Sequence, residues 1–165
     1  MSIKNEHVSK TVKTICSAHN GSTNSLSHLF FKLDHDLNLE NYNSSDLELS
    51  LNKVSKDTYL KVFDQYITKS SLRPNNFDKL NSNLKIFLDH EDFSLTTGIQ
   101  SYENLQTKKR SDRYQYNLPY YNFDKLISQN FFKGNISFFS SGNNYLSETN
   151  KLETNITNDF NYNSL

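Results

Sequence analysis

Period-two alternation of apolar and polar residues constrains this chain more than any other feature. Leu29, Phe31, Leu33, Leu37 and Leu39 alternate with Lys32, Asp34, Asp36 and Asn38, with His35 on the apolar parity. Leu47, Leu49 and Leu51 alternate with Glu48, Ser50 and Asn52. Leu84, Ile86 and Leu88 alternate with Lys85, Phe87 and Asp89. Past the acidic turn Asp89-His90-Glu91-Asp92, Phe93, Leu95, Thr97 and Ile99 alternate with Ser94, Thr96, Gly98 and Gln100. Near the C-terminus Leu152, Thr154, Ile156, Phe160 and Tyr162 alternate with Glu153, Asn155, Thr157, Asp159 and Asn161. Successive side chains of a strand point to opposite faces, so each run has one greasy and one wet face. A helix would need a period near 3.6. The class is therefore all-β.

The connections between these runs read as antiparallel ones. Asn41–Asp46 is a turn, and residues 80–102 form a hairpin turning at Asp89–Asp92. Tyr114, Tyr116 and Leu118 begin a strand that runs through Pro119 to Phe123, and Ile136 and Phe138 begin another that Ser140–Asn144 ends. The expected fold is an antiparallel meander of about seven or eight strands. The segment 57–64 either continues the Leu47–Leu51 strand or begins a loop, and residues 65–79, with Arg73-Pro74 and Asn75-Asn76, read as a long loop. Residues 1–25 depart from the alternation. Val8, Val12, Ile15 and Cys16 share one face of a short helix with Gly21 as a stop, the alternative being an irregular tail. The sheet region is then 26–165.

Composition says where such a sheet can live. Only 35% of the 165 residues are hydrophobic, against roughly 45–50% in an average domain. Yet 13% are aromatic, which argues against disorder. Lys+Arg and Asp+Glu stand at 18 each, so no basic surface for nucleic acid is implied. Strands of roughly ten residues suit an outer-membrane wall, which needs about 9–11, better than a soluble domain with strands nearer 5–6. No run approaches the roughly 18 apolar residues of a membrane helix. No apolar stretch follows Met1, so no signal peptide is read.

Catalytic chemistry is not suggested. There is no Gly-rich phosphate loop, nucleophile elbow or paired-Cys metal pattern, so no enzyme activity, cofactor or metal site is expected. Alternation sends Asp34 and Asp36 to one face and His35 to the other. Asp89-His90-Glu91-Asp92 reads as a solvated hairpin turn, and Cys16 and His19 have no residue to orient them as a pair.

Two segments carry a resemblance to a known family. Val54–Asp64 (VSKDTYLKVFD), with Asp57, Tyr59, Leu60, Phe63 and Asp64, resembles a loop closing an early barrel hairpin of the lipopolysaccharide-assembly family LptD. Ser111–Lys125 (SDRYQYNLPYYNFDK), with Asp112, Tyr114, Leu118, Pro119 and Tyr121, is similar to that family's proline-bearing strand. The resemblance covers about Ser27 to Tyr162. It implies part of a large outer-membrane barrel that inserts lipopolysaccharide into the outer leaflet, with lipopolysaccharide and an LptE-like plug lipoprotein as partners. It also implies localisation in the cell outer membrane. The family's periplasmic jellyroll, most of its barrel and its cysteines have no counterpart here, so the expectation is a fragment that is inactive alone. An open sheet is expected, because curvature suited to a large barrel is too gentle to close eight strands. The alternatives are an independent eight-stranded outer-membrane barrel and a soluble β-sandwich binding module.

Overall fold

A computed structural model describes residues 11–19, 26–67, 72–108, 113–131, 133–147 and 150–164. The described residues form one sheet of eight strands whose order in space is their order in sequence. They are β1 (Thr11–His19), β2 (Leu26–Asp36), β3 (Ser44–Val54), β4 (Lys79–Asp89), β5 (Phe93–Asn104), β6 (Tyr114–Phe131), β7 (Gly134–Ser147) and β8 (Lys151–Ser164). Every neighbouring pair is antiparallel. The sheet is an open all-β meander, with β1 and β8 as its edges. Two one-turn helices, α1 (Tyr59–Val62) and α2 (Asp64–Ile67), interrupt the β3–β4 connection.

Asparagine and aspartate make the tight turns, as a chain with only 4 Gly requires. Asn38 and Asn41 take the left-handed conformation at φ 49° and 70° between β2 and β3, which Asn tolerates better than most residues. The Asp36 carboxylate accepts the Asn38 amide at 2.8 Å, an Asx-turn. The hairpin β4–β5 turns at residues 90–92, where the sequence places it.

Register puts the alternation to use. Leu33 faces Leu49, Leu49 faces Leu84, and Leu84 faces Ile99. Leu88 faces Leu95, and Leu95 faces Phe123. One face is thus apolar across β2–β6. On the other, Asp34 faces Glu48, Glu48 faces Lys85, and Asn122 faces Ser141. Leu47, Leu49 and Leu51 share the apolar face with Leu84, Ile86 and Leu88, as the period predicts.

Three local readings need correction. Thr11–His19 is a strand paired with β2, not a helix; Thr11, Val12, Thr14 and Ile15 are β-branched, and an available sheet edge outweighs a weak helical period. Val8 and Gly21 of that reading lie outside the described residues. Ser140–Asn144 does not end a strand but lies in the middle of β7. Turn-forming residues become strand residues there because β6 and β8 pair with both sides of them. The strand beginning at Tyr114 continues past Phe123 to Phe131. Of the two readings of segment 57–64, the loop holds: it leaves β3 and carries α1 and the start of α2. Of the 65–79 loop, residues 68–71 lie outside the described residues and β4 already begins at Lys79.

Candidate functional site: an apolar band between aromatic rows

The candidate functional surface is a face of the sheet rather than a cleft. At the end where β2–β3, β4–β5 and β6–β7 turn, aromatic rings follow one another across the strands. Tyr42 meets His90 at 5.6 Å between centroids and Phe93 at 6.1 Å. His90 stacks on Phe93 at 5.1 Å, and Phe93 lies 5.9 Å from Phe123. Phe123 lies 6.3 Å from Phe138, and Phe138 4.7 Å from Phe160. These separations are those of favourable aromatic pairs. The row crosses from the β2–β3 turn to β8.

At the opposite end Tyr114 and Tyr116 stack at 6.4 Å. Between the two ends the face carries Leu47, Leu49, Leu51, Leu84, Ile86, Leu95 and Ile99, and beyond them Leu118 and Ile156. Leu51, Ile99, Leu118, Ile156 and Phe160 are exposed, Phe160 to 71%. No second layer covers them among the described residues.

Tyrosines fill the gaps that glycine leaves in the sheet. A Cβ on Gly98 would lie 2.8 Å from the Tyr120 hydroxyl, and one on Gly142 2.5 Å from the Tyr121 ring. The Tyr162 ring occupies the same position against Gly134. An aromatic ring laid over a strand glycine restores contact that the missing side chain forfeits.

The Tyr114 end also holds a charge cluster. The Glu103 side chain is only 8% exposed, yet Lys53 reaches it at 2.9 Å and Arg113 at 2.6 Å. The Tyr114 hydroxyl donates to it at 3.0 Å. A buried carboxylate needs such partners. Arg113 also reaches Asp57 at 2.7 Å. That bond, then the Glu103 contact, holds the Arg113 guanidinium above its ordinary range, and Arg113 in turn holds the Asp57 carboxyl below the usual carboxylate range. Two cations and two carboxylates neutralise one another, so the cluster is a tie between connections rather than an ion-binding site.

The family-motif residues divide into two sets. Tyr59 and Leu60 are buried in the core cluster and Phe63 packs against it. Asp57 and Asp64 point outward to Arg113 and Arg73. Tyr114 joins the Glu103 cluster. Leu118 and Pro119 form a bulge in β6 between the pairs Asn117–Gln100 and Tyr120–Gly98, a place where proline's missing N–H costs no ladder bond. Tyr121 covers Gly142, and Asp112 lies outside the described residues. The fold thus brings Asp57 and Tyr114 together through Arg113 and Glu103, and leaves Tyr121 on the far side of the bulge. Sequence reasoning missed Glu103, Lys53 and Arg113; the break in alternation at Glu103, on the parity of Leu95 and Ile99, was the available signal.

No protein-family model, curated protein or solved structure matches this chain.

Proposed function

We propose that this sheet is part of the wall of an outer-membrane β-barrel of the LptD type, the translocon that inserts lipopolysaccharide into the outer leaflet. One observation carries the membrane reading: an apolar band on one face, bounded at one end by an aromatic row that crosses the strands and at the other by the Tyr114–Tyr116 pair. That is the arrangement by which barrel walls match a bilayer and its interfaces. The connectivity agrees with it. Residues 37–43 and 90–92 are short turns at one end, and the longer connection between β3 and β4 lies at the other, as short periplasmic turns and longer external loops would. The open edges favour a wall within a larger barrel over a closed eight-stranded one. The lipopolysaccharide role rests on the resemblance of Val54–Asp64 and Ser111–Lys125 to the LptD family.

Photocrosslinking in cells tests both levels. A photoreactive residue at Leu95 should capture membrane lipid, whereas one at the adjacent Ser94 should not. One at Asn143, on the polar face, should capture lipopolysaccharide while transport is under way. Equal lipid capture from positions 94 and 95 would remove the barrel reading. Lipid capture at 95 without any lipopolysaccharide from the polar face would leave a barrel wall and remove the transport role.

A further inference from the structure

The β5–β6 pairing breaks at one place, and the break gathers side chains that a regular strand would separate. Asn117 pairs with Gln100 and Tyr120 with Gly98, so Leu118 and Pro119 on β6 stand against Ile99 alone on β5. Toward β7 the same two residues stand against Asn144 alone, between the pairs Asn117–Tyr145 and Tyr120–Asn143. Residues three apart in a regular strand point to opposite faces. The extra residue of the bulge cancels that rule, and Asn117 and Tyr120 both fall on the polar parity of Gln100 and Asn122.

A hollow of about 320 Å³ opens on this face, near the lower end of the roughly 300–1,000 Å³ of small-ligand pockets. Register assembles its far wall: Ser141 faces Asn122 and Thr157, and Asn143 faces Tyr120 and Asn155. Five of the ten described residues that line it are carboxamides, Gln100, Asn117, Asn122, Asn143 and Asn155. Ser141 and Thr157 add hydroxyls. None of the ten is charged, although 22% of the chain is. Lys85 stands opposite Gly98 on this face, but Glu48 holds it at 2.9 Å. Glu153, two residues from Asn155, is held by Lys151 at 2.9 Å. The amides are left with bonding capacity. Asn117 Oδ1 is buried without a hydrogen-bond partner, a costly state that native structures keep rare. Asn155 reaches the Asn143 carbonyl oxygen only at 3.4 Å. The Tyr120 ring extends along the sheet over Gly98.

We propose that this hollow binds an uncharged saccharide. A carboxamide offers two donors and an accepting oxygen, which suits sugar hydroxyls that donate and accept at once. An ion would bury its charge with no counter-charge, and an apolar ligand would leave the amides unpaired. The Tyr120 ring gives the carbon–hydrogen face of a sugar something to pack on. The site follows from register and lining alone, so it holds whether or not the sheet is a barrel wall.

Isothermal titration of the full chain, refolded in zwitterionic detergent micelles, with maltohexaose tests the proposal. Maltohexaose should bind at least about tenfold more tightly than a galacturonate hexamer, whose carboxylates find no cation in the hollow. Asn117→Leu should weaken maltohexaose at least about tenfold, by removing the unpartnered acceptor. Because Asn117→Leu can disturb the bulge, Asn155→Leu at an exposed position of β8 serves as a second variant and should weaken binding about threefold or more. Asn158→Leu, on the opposite face of the same strand, should leave it unchanged. No binding at about 10 mM maltohexaose, equal affinity for the two hexamers, or no loss in either Asn117→Leu or Asn155→Leu would overturn the site. Competition identifies the source of the sugar. Displacement by a lipopolysaccharide with a neutral O-chain but not by lipid A assigns a glycolipid, and displacement by neither assigns a free saccharide. Displacement by lipid A as well would overturn the sugar reading. Lipid capture at positions 94 and 95 tests the wall and maltohexaose tests the hollow, so either can fail without the other.

Discussion

Arginine at Leu84 should destabilise the assembled protein far more than arginine at its neighbour Asn83. Leu84 faces Leu49 on β3 and Ile99 on β5, midway between the row from Tyr42 to Phe160 and the Tyr114–Tyr116 pair. If that face meets lipid, Leu84→Arg places a charge near the bilayer midplane, at a cost of about 2–4 kcal/mol. At about 1.4 kcal/mol per tenfold, the folding equilibrium falls roughly 30- to 700-fold. Leu88 lies nearer the Phe93–Phe123 rings, so Leu88→Arg should cost only about 0–1 kcal/mol. Asn83 faces Ser50 and Gln100 on the polar side, and Asn83→Arg should stay within about 0.5 kcal/mol of the parent. Equilibrium denaturant titration of the assembled protein in phosphatidylcholine vesicles reads all three, with midpoint and slope fitted separately. A cost at Asn83 equal to that at Leu84 would refute the assignment of faces. Equal costs at Leu84 and Leu88 would refute the assignment of depth.

Leu60→Ala, at a side chain with 0% exposure, should cost about 3 kcal/mol from lost transfer energy and the cavity left behind; amide exchange should show the loss in residues 57–64 while β4–β5 stays protected. Gly98→Ala should cost at least about 1–3 kcal/mol, because its Cβ would meet the Leu84 carbonyl and lie 2.8 Å from the Tyr120 hydroxyl; an unchanged denaturation midpoint would contradict this packing. Asp57 and Asp78 are both held below the usual carboxylate range, the first by Arg113 and the second by Lys61. A lowered folded-state value gives stability that is complete above the unfolded value, about 3.9, and is lost as pH falls through the folded one. Limited proteolysis within 55–78 should therefore be slow at neutral pH and quicken only below about pH 4. Asp57→Asn should make cleavage faster at neutral pH and blunt its acid response.

Strand faces were legible because successive Cβ atoms of a strand point to opposite faces, so alternation over Leu47–Leu51, Leu84–Leu88 and Phe93–Ile99 needs no tertiary information. Local chemistry also places the hairpin at 90–92. What the sequence concealed depends on partners far along the chain. β1 is a strand because the β2 edge is there to receive it. Ser140–Asn144 is strand because Tyr121 covers Gly142 and Asn158 bonds Ser140 at 2.7 Å. The Glu103 cluster joins residues 53, 57, 103, 113 and 114 through ion pairs and hydrogen bonds, which no local spacing encodes. Motif residues Tyr59 and Leu60 were visible as a likeness, but their burial against Phe30 depends on a fold-back that only coordinates reveal.

Among the described residues, the apolar face of the sheet is left without a covering layer. A layer with one apolar face must lay that face against something, and Leu51, Ile99, Leu118, Leu152, Ile156 and Phe160 remain exposed. A second protein layer would have to match a band bounded by aromatic rings at both ends, a requirement that a soluble sandwich does not impose. A bilayer imposes it directly, since rings favour the interface and aliphatic side chains the hydrocarbon. The two free edges make a separate demand. Backbone groups left unpaired at a sheet edge are costly in lipid, so on the proposed reading β1 and β8 would pair with further strands. On the proposed reading, a lipid-facing band and an unclosed sheet would be met by one arrangement, a stretch of wall in a larger barrel.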